Sequence, residues 1–151
     1  MVDARLLHRL LLVCIVVGIG FSSYAAFEVL DPTLQKSCSI SPFLSCGAVD
    51  QSGHTSIGPV PDWSIGLLGF LLLLALDLPL LRTFDRRLLY GVVGFSALGL
   101  GVAGYLAYVE LDIIHALCPI CLGAYLSDLA VFVVALVLLR LRRSASGHDG
   151  E

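Results

Sequence analysis

Four long apolar stretches constrain this chain more than any other feature of its sequence. They run from about Leu10 to Leu30, Trp63 to Leu81, Leu88 to Val109 and Ile113 to Leu139. A bilayer core is about 30 Å thick, and a helix needs roughly 20 mostly apolar residues to cross it. The overall content of 58% hydrophobic and 14% charged residues also lies outside the range of soluble globular proteins. The sequence therefore predicts an all-α integral membrane protein, a bundle of four transmembrane helices.

The predicted bundle leaves little chain for a separate soluble domain. We expect one membrane domain over residues 1–143 and a short polar tail over residues 144–151. A long polar loop, residues 31–62, joins the first two spans, and short polar segments at residues 82–87 and 110–112 join the others.

The positive charges predict the orientation of the bundle. Eight of the nine Lys and Arg residues lie before span one, between spans two and three, or after span four, which are all on the same side of a four-helix bundle. Only Lys36 lies in the loop over residues 31–62. Because positive charge near helix ends stays cytoplasmic, we expect both termini in the cytoplasm and the long loop outside. The short loops and the lack of a retention signal favour a microbial plasma membrane over the endoplasmic reticulum.

A cleaved signal peptide is an alternative interpretation of the first apolar stretch. Arg5, His8 and Arg9 precede that stretch, as basic residues precede the apolar region of a signal peptide. The stretch is longer than a typical signal region, and four spans account better for the charges. We therefore expect a span here, and cleavage would not move the loop to the other side.

Four of the five cysteines fall on the predicted outer side. Cys38 and Cys46 lie in the long loop, and Cys118 and Cys121 open span four in the segment LCPICLGAY. Cys14 lies alone inside span one, where a cysteine is usually a small packing residue. Disulfides persist in an oxidising outer compartment, so disulfide chemistry is possible for both pairs.

Three kinds of site could use these two pairs. Structural disulfides would stabilise little at Cys118 and Cys121, because the loop between them is very short. A four-cysteine zinc site is disfavoured by the seven residues between Cys38 and Cys46, where zinc knuckles have two to four. A redox relay is favoured, since a helix N-terminus stabilises a thiolate and Pro119 suits the first helical position.

A relay needs an electron acceptor, and the position of the second pair suggests one. The pair begins a membrane helix, so a lipid-soluble carrier can reach it. A quinone takes up two electrons and two protons, which matches one dithiol becoming one disulfide. We expect a quinone and no metal; a scaffold whose loop is held by disulfides is the non-enzymatic alternative.

The chain resembles the vitamin K epoxide reductase family of four-helix membrane thiol–quinone oxidoreductases. The resemblance rests on the loop pair, on Ser52 six residues after its second cysteine, on GPVPDWSIGLLGF leading into span two, and on CPICLGAY opening span four. Cys-x-x-Cys alone would be a weak signal. Its place at the last helix, with the loop pair upstream on the same side, makes the combination specific.

The resemblance implies a two-stage relay that supports disulfide bond formation. Cys38 and Cys46 would oxidise the dithiol of a separate thioredoxin-fold protein on the outer side. Electrons would then pass through a transient Cys46–Cys118 disulfide, and Cys121 would face a quinone of the menaquinone, ubiquinone or vitamin K type. The other expected partner is the lipid bilayer, and no nucleic acid is expected.

The resemblance also implies residues that contact the quinone. Tyr125, four residues after Cys121, matches a tyrosine beside the quinone in the family, although it could be an ordinary packing residue. Ser52, Asp62 and Trp63 complete the expected set. Vertebrate members carry a quinone-binding asparagine near span two, whereas this chain contains no asparagine. We therefore expect menaquinone or ubiquinone, with strict vitamin K reduction as the alternative.

Asp77 and Asp128 are acidic residues that lie well inside predicted spans. An ionisable residue in a membrane is a functional candidate by default. For Asp128 we expect a hydrogen bond between helices, with Ser22 or Ser23 as its partner. Asp77 lies near the cytoplasmic end of span two, and we expect its side chain to extend to the membrane surface.

The predicted topology can be tested with a thiol reagent that cannot cross membranes. Applied to intact cells after mild reduction, the reagent should modify Cys38 and Cys46, because the charge distribution places their loop outside. Labelling that requires permeabilised cells would show that the orientation is inverted.

Overall fold

Long helices dominate the structure, as the sequence predicts. The computed structural model describes residues 4–54, 60–83 and 85–146, the last four by their backbone alone. Its elements are α1 (Ala4–Leu30), α2 (Pro32–Cys38), α3 (Cys46–Gln51), α4 (Asp62–Thr83), α5 (Arg86–Tyr108), a π-helix (Val109–Ile114) and α6 (Pro119–Ser146). Residues 55–59 of the predicted outer loop and residues 147–151 of the predicted tail lie outside the described residues.

Four of these helices are long and apolar enough to cross a membrane: α1, α4, α5 with its π-helical extension, and α6. They form a ring in which α1 packs against α4 and α6, and α5 packs against the same two helices. The structure thus confirms the predicted four-helix membrane bundle. Helix α1 also begins earlier than expected, at Ala4.

The main hydrophobic core lies in the half of the bundle that is remote from the four paired cysteines. Leu11 and Ile15 of α1, Val92 of α5, and Val131 and Leu138 of α6 are almost fully buried in it. The start of α1 and the end of α6 therefore lie at the same end of the bundle. We refer to this as the charged end, because it carries the basic residues that flank the helices, and to the opposite end as the cysteine end.

Asp77 does not extend to the membrane surface, so that prediction is wrong. Its side chain is fully buried, and its Oδ1 lies 3.4 Å from Nε2 of His8, which is also buried. A buried carboxyl group is tolerated when a partner of opposite character lies beside it. The sequence placed His8 only in a basic N-terminal segment and gave no indication that it faces α4.

The connection between the last two spans also differs from the prediction. Residues 110–112 were expected to form a polar connector, but α5 continues through them as a π-helix to Ile114. His115 then adopts the left-handed conformation, with a φ of 56°, and ends the helix. Helix α6 starts at Pro119, later than the predicted Ile113, because the chain up to Ile114 belongs to the preceding π-helix.

The described part of the loop after α1, residues 31–54, folds into a cap over the cysteine end. Asp31 accepts a hydrogen bond from the Thr33 N–H at the start of α2, and Ser45 accepts one from the Ala48 N–H at the start of α3. Leu44 pairs with Leu117 in an isolated β-bridge. The bridge fastens the cap to the segment that directly precedes α6.

Candidate functional site

A second hydrophobic cluster, between the cap and the bundle, contains the paired cysteines. Cys38, Cys46 and Cys118 are buried in it together with Val49 and Ala116. Cys121, Ile114 and Ile120 pack against the same cluster. Both cysteine pairs therefore lie in one apolar layer that is largely shielded from water.

The loop pair forms a disulfide between two short helices of the cap. Cys38 is the last residue of α2, Cys46 is the first residue of α3, and their Cα atoms are 5.7 Å apart. The side-chain amide of Gln35 in α2 donates a hydrogen bond to Asp50 in α3, at 3.3 Å. The two helices are thus joined by a hydrogen bond in addition to the disulfide.

The two cysteine pairs meet at Cys46 and Cys118, whose sulfur atoms are 3.5 Å apart. The β-bridge explains this contact. The Leu117 N–H donates to the Phe43 carbonyl at 2.7 Å, and the Ser45 N–H donates to the Leu117 carbonyl at 3.2 Å. Cys46 directly follows Ser45 in the chain, and Cys118 directly follows Leu117. The paired backbone therefore sets the distance between the two sulfur atoms.

Cys118 occupies the N-cap position of α6. Its Sγ accepts a hydrogen bond from the Cys121 N–H at 3.2 Å, and its carbonyl accepts one from the Leu122 N–H at 3.0 Å. Pro119 takes the first helical position, where its missing N–H leaves nothing unpaired. Amide dipoles that point at a sulfur atom stabilise negative charge on it. The Cys118 sulfur thus lies at the N-terminus of α6, within hydrogen-bond distance of the Cys121 amide.

The sulfur atoms of three cysteines lie close enough together to be considered as metal ligands. The ligand atoms of Cys38, Cys46 and Cys118 all lie within 4.8 Å of one another. Two of these sulfurs are joined in the disulfide, and Cys121 does not belong to the group. The four-cysteine zinc arrangement is therefore not formed among the described residues.

Glu110 links the cysteines to Tyr125, and the sequence analysis missed it. Its side chain is 1% exposed. Its Oε2 accepts a hydrogen bond from the Cys118 N–H at 3.0 Å, and its Oε1 accepts one from the Tyr125 hydroxyl at 2.8 Å. The helical spacing from the buried Ala103 and Leu106 to residue 110 was a signal for an inward-facing side chain, and it was read instead as the end of a span.

A cavity of about 370 Å³ lies inside the ring of helices, next to the helix cysteines. Cavities of this size hold drug-sized ligands and cofactors. All four long helices contribute to its walls, which are mostly apolar. The residues with polar side chains that line it are Ser22, Asp62, Trp63, Cys121, Tyr125 and Asp128.

The cavity reaches the surface of the bundle between α4 and α5. Leu68 and Leu72 of α4 and Leu98 of α5 line it, and these side chains are 60%, 51% and 70% exposed. In a membrane, exposed leucines on spanning helices face the acyl chains of lipids. An apolar ligand could therefore enter from the bilayer without crossing water.

Three of the four residues expected to contact a quinone lie at this cavity. Tyr125 lines it, as do Asp62 and Trp63 at the first turn of α4, where Asp62 accepts the Trp63 N–H at 2.7 Å. Ser52 does not line it. The Ser52 hydroxyl donates to the Val49 carbonyl at 2.7 Å, at the end of α3 in the cap.

Asp128 lines the cavity but does not make the hydrogen bond expected from the sequence. Its Oδ1 is buried without a hydrogen-bond partner, and within the described part of the chain no hydrogen bond joins it to Ser22 or Ser23. Ser22 faces α4 instead, where its hydroxyl lies against Gly66. The predicted hydrogen bond from Asp128 to Ser22 or Ser23 is therefore wrong, although α1 and α6 do pack against each other.

Acidic groups surround the cysteine pairs at the junction of cap and bundle. Burial raises the pKa of Asp50 above its usual range, the hydrogen bond from Gln35 opposes this rise, and the charge of Asp62 adds to it. Glu28 of α1 is also buried, and its charge and that of Asp50 repel each other. Carboxyl groups thus lie near both the disulfide and the cavity.

Comparison with known families gives one match. The model of the vitamin K epoxide reductase family matches residues 9–136. This range extends from α1 into α6 and includes the cap, both cysteine pairs and Tyr125. A comparison with individual curated proteins yields no match.

The two hydrogen bonds of Glu110 predict a stability effect. In Glu110→Ala, the buried Cys118 N–H and Tyr125 hydroxyl both lose their acceptor, and each unpaired group costs about 1–3 kcal/mol. Thermal unfolding in detergent should show a clear drop in Tm. Asp112→Ala, at an exposed position of the same π-helix, is the matched control and should leave Tm nearly unchanged. Equal stability of the two variants would show that the Glu110 hydrogen bonds contribute nothing.

Proposed function

The chain belongs to the vitamin K epoxide reductase family, whose members are oxidoreductases, and we propose that it is a membrane thiol–quinone oxidoreductase. It oxidises the dithiol of a separate thioredoxin-fold protein on the outer side and reduces a membrane quinone, which supports disulfide bond formation. The observation that carries this proposal is the 3.5 Å contact between Cys46 and Cys118, with Cys121 at the wall of an apolar cavity.

In the first step, the partner reduces the disulfide of the cap. A thiolate of the partner attacks Cys38, which breaks the Cys38–Cys46 bond and releases the Cys46 thiolate. The second partner thiol then attacks the mixed disulfide and releases Cys38. The partner leaves with a new disulfide, and the cap holds two thiols. Cys38 is the more exposed of the two cap cysteines, at 7% against 1% for Cys46, which supports Cys38 as the residue that is attacked.

In the second step, electrons pass from the cap to the helix pair. The Cys46 thiolate attacks Cys118 of an oxidised Cys118–Cys121 disulfide and releases Cys121. Cys38 then attacks Cys46, which restores the cap disulfide and frees Cys118. Thiol–disulfide exchange depends on access as well as on thiolate content, and the contact between Cys46 and Cys118 gives that access in either direction.

In the third step, the helix pair reduces the quinone. Cys118 and Cys121 form their disulfide, and the quinone takes up two electrons and two protons to become a hydroquinone. Cys121 lines the cavity, and the Tyr125 hydroxyl lies on the same helical face, four residues away. Over the cycle, one dithiol and one quinone yield one disulfide and one hydroquinone, so atoms and electrons balance.

The character of the cavity supports a lipid-soluble quinone as the substrate. Its walls are mostly apolar, and it opens between α4 and α5, where lipid would surround the protein. An isoprenoid chain could remain in that opening while the ring lies near Cys121. Because the chain has no asparagine, we propose menaquinone or ubiquinone rather than vitamin K epoxide.

The distribution of charge supports placing this chemistry outside the cytoplasm. The basic residues that flank the helices lie at the charged end, and the four paired cysteines lie at the cysteine end. By the positive-inside rule the charged end is cytoplasmic. The cap would then meet its partner in an oxidising compartment of a microbial cell, where disulfides persist.

A variant without the cap cysteines tests whether they act as a shuttle. In Cys38→Ser/Cys46→Ser, turnover with a thioredoxin-fold dithiol protein should fall by orders of magnitude, because Cys118 is buried beneath the cap. Turnover with dithiothreitol should largely remain, since a small dithiol can reach Cys118 where a folded protein cannot. Quinone reduction is the assay, and Cys14→Ser, which should stay within a few fold of the wild type, is the control.

Two results would contradict the proposed shuttle. Equal losses with both donors would show that the cap pair shapes the quinone site instead of carrying electrons. Unchanged turnover with both donors would show that the cap disulfide is structural, which favours a scaffold role for the loop.

A further inference from the structure

Asp128 is a buried carboxyl group of the cavity wall that the proposed relay does not use. It is 7% exposed, it lines the cavity, and its Oδ1 has no hydrogen-bond partner among the described residues. Burying a polar atom without a hydrogen-bond partner lowers the stability of the fold, because its lost hydration is not replaced. The neighbouring Ser127 shows the usual solution, because its hydroxyl donates to the Gly123 carbonyl at 2.8 Å.

The neighbouring helix α5 accommodates this carboxyl group. Gly99 of α5 faces it, and a β-carbon at that position would lie 2.5 Å from Oδ2 of Asp128. A larger residue at position 99 would fill the space that the carboxyl occupies. The sequence thus places a glycine where the carboxyl group needs room, and the carboxyl lies at the cavity wall.

The spacing along α6 places polar groups at two depths of the cavity. Cys121, Tyr125 and Asp128 follow one another at intervals of four and three residues, so all three share one helical face. The helical rise places Tyr125 about 6 Å and Asp128 about 10 Å from Cys121 along the axis. Between these polar groups and around them, the walls are mostly apolar.

We propose that Asp128 binds the far oxygen of a ligand whose near oxygen faces Cys121 and Tyr125. The inference rests on the proposed function, and it specifies the ligand class as a ring with oxygen atoms at opposite ends, a para-quinone and its hydroquinone. The carboxyl group can donate a hydrogen bond to a quinone carbonyl and accept one from a hydroquinone hydroxyl. Asp128 thus orients the ring and favours ligands that carry both oxygens.

The chain offers a direct measure of binding that does not depend on turnover. Trp63 is its single tryptophan and lines the cavity, so a quinone bound there should quench its fluorescence. The titration uses fully oxidised protein, which has no electrons to transfer. The probes are a para-naphthoquinone and a bicyclic ketone of the same size with one oxygen, the latter measured by competition.

The variants separate a ligand contact from a role in packing. Asp128→Leu should weaken binding of the naphthoquinone about tenfold, the loss of one buried hydrogen bond, and should leave binding of the ketone unchanged. Asp128→Asn keeps the hydrogen-bonding ability and should stay within a few fold of the wild type. Ser127→Ala, a change at a buried hydroxyl that does not line the cavity, should bind both probes normally.

Two outcomes would overturn this role for Asp128. Equal weakening of both probes by Asp128→Leu would indicate a packing role, and no weakening of either would show that Asp128 does not meet the ligand. If Asp128→Leu fails to fold, Asp128→Ala takes its place. A ratio of naphthoquinone affinity to ketone affinity equal to that of the wild type would then overturn the role of Asp128. Wild-type protein that binds neither probe would instead contradict the proposed quinone reaction itself.

Discussion

The β-bridge between Leu44 and Leu117 is the contact on which the arrangement of the two cysteine pairs depends. It joins the cap to the segment before α6 through two backbone hydrogen bonds, one on each side of Leu117. Cys46 follows one strand of the bridge and Cys118 follows the other, so their sulfur atoms meet at 3.5 Å. Side chains in flexible loops could not hold such a distance reliably, whereas paired backbone can.

Glu110 and Tyr125 connect this contact to the interior of the helix bundle. Glu110 receives the Cys118 N–H and the Tyr125 hydroxyl, so one carboxyl group fixes the start of α6 and a residue one turn into it. It can do so because the π-helix carries α5 past the expected end of its span, and such irregular turns often occur at functional sites. The apolar cavity begins at Cys121, the second cysteine of the helix pair.

The sequence predicts the parts of this structure that depend on composition and periodicity. The four spans, the loop between the first two and the place of each cysteine follow from hydrophobic length and spacing. The sequence did not reveal Glu110 or the buried His8–Asp77 pair, because a charged residue near a span end normally faces water. Whether such a residue turns inward depends on its partners in other helices. Ser52, which the resemblance places near the quinone, lies in the cap instead of at the cavity.

The central claim is that the two cysteine pairs exchange electrons through Cys46 and Cys118. The most direct test is the variant Cys38→Ser/Cys121→Ser, in which each pair keeps only the sulfur that faces the other. After mild oxidation in the membrane, peptide mapping without reduction should find a Cys46–Cys118 disulfide in most molecules, because no resolving thiol remains to break it. If both thiols stay free under these conditions, or if Cys118 pairs with Cys14, the relay does not run through this contact.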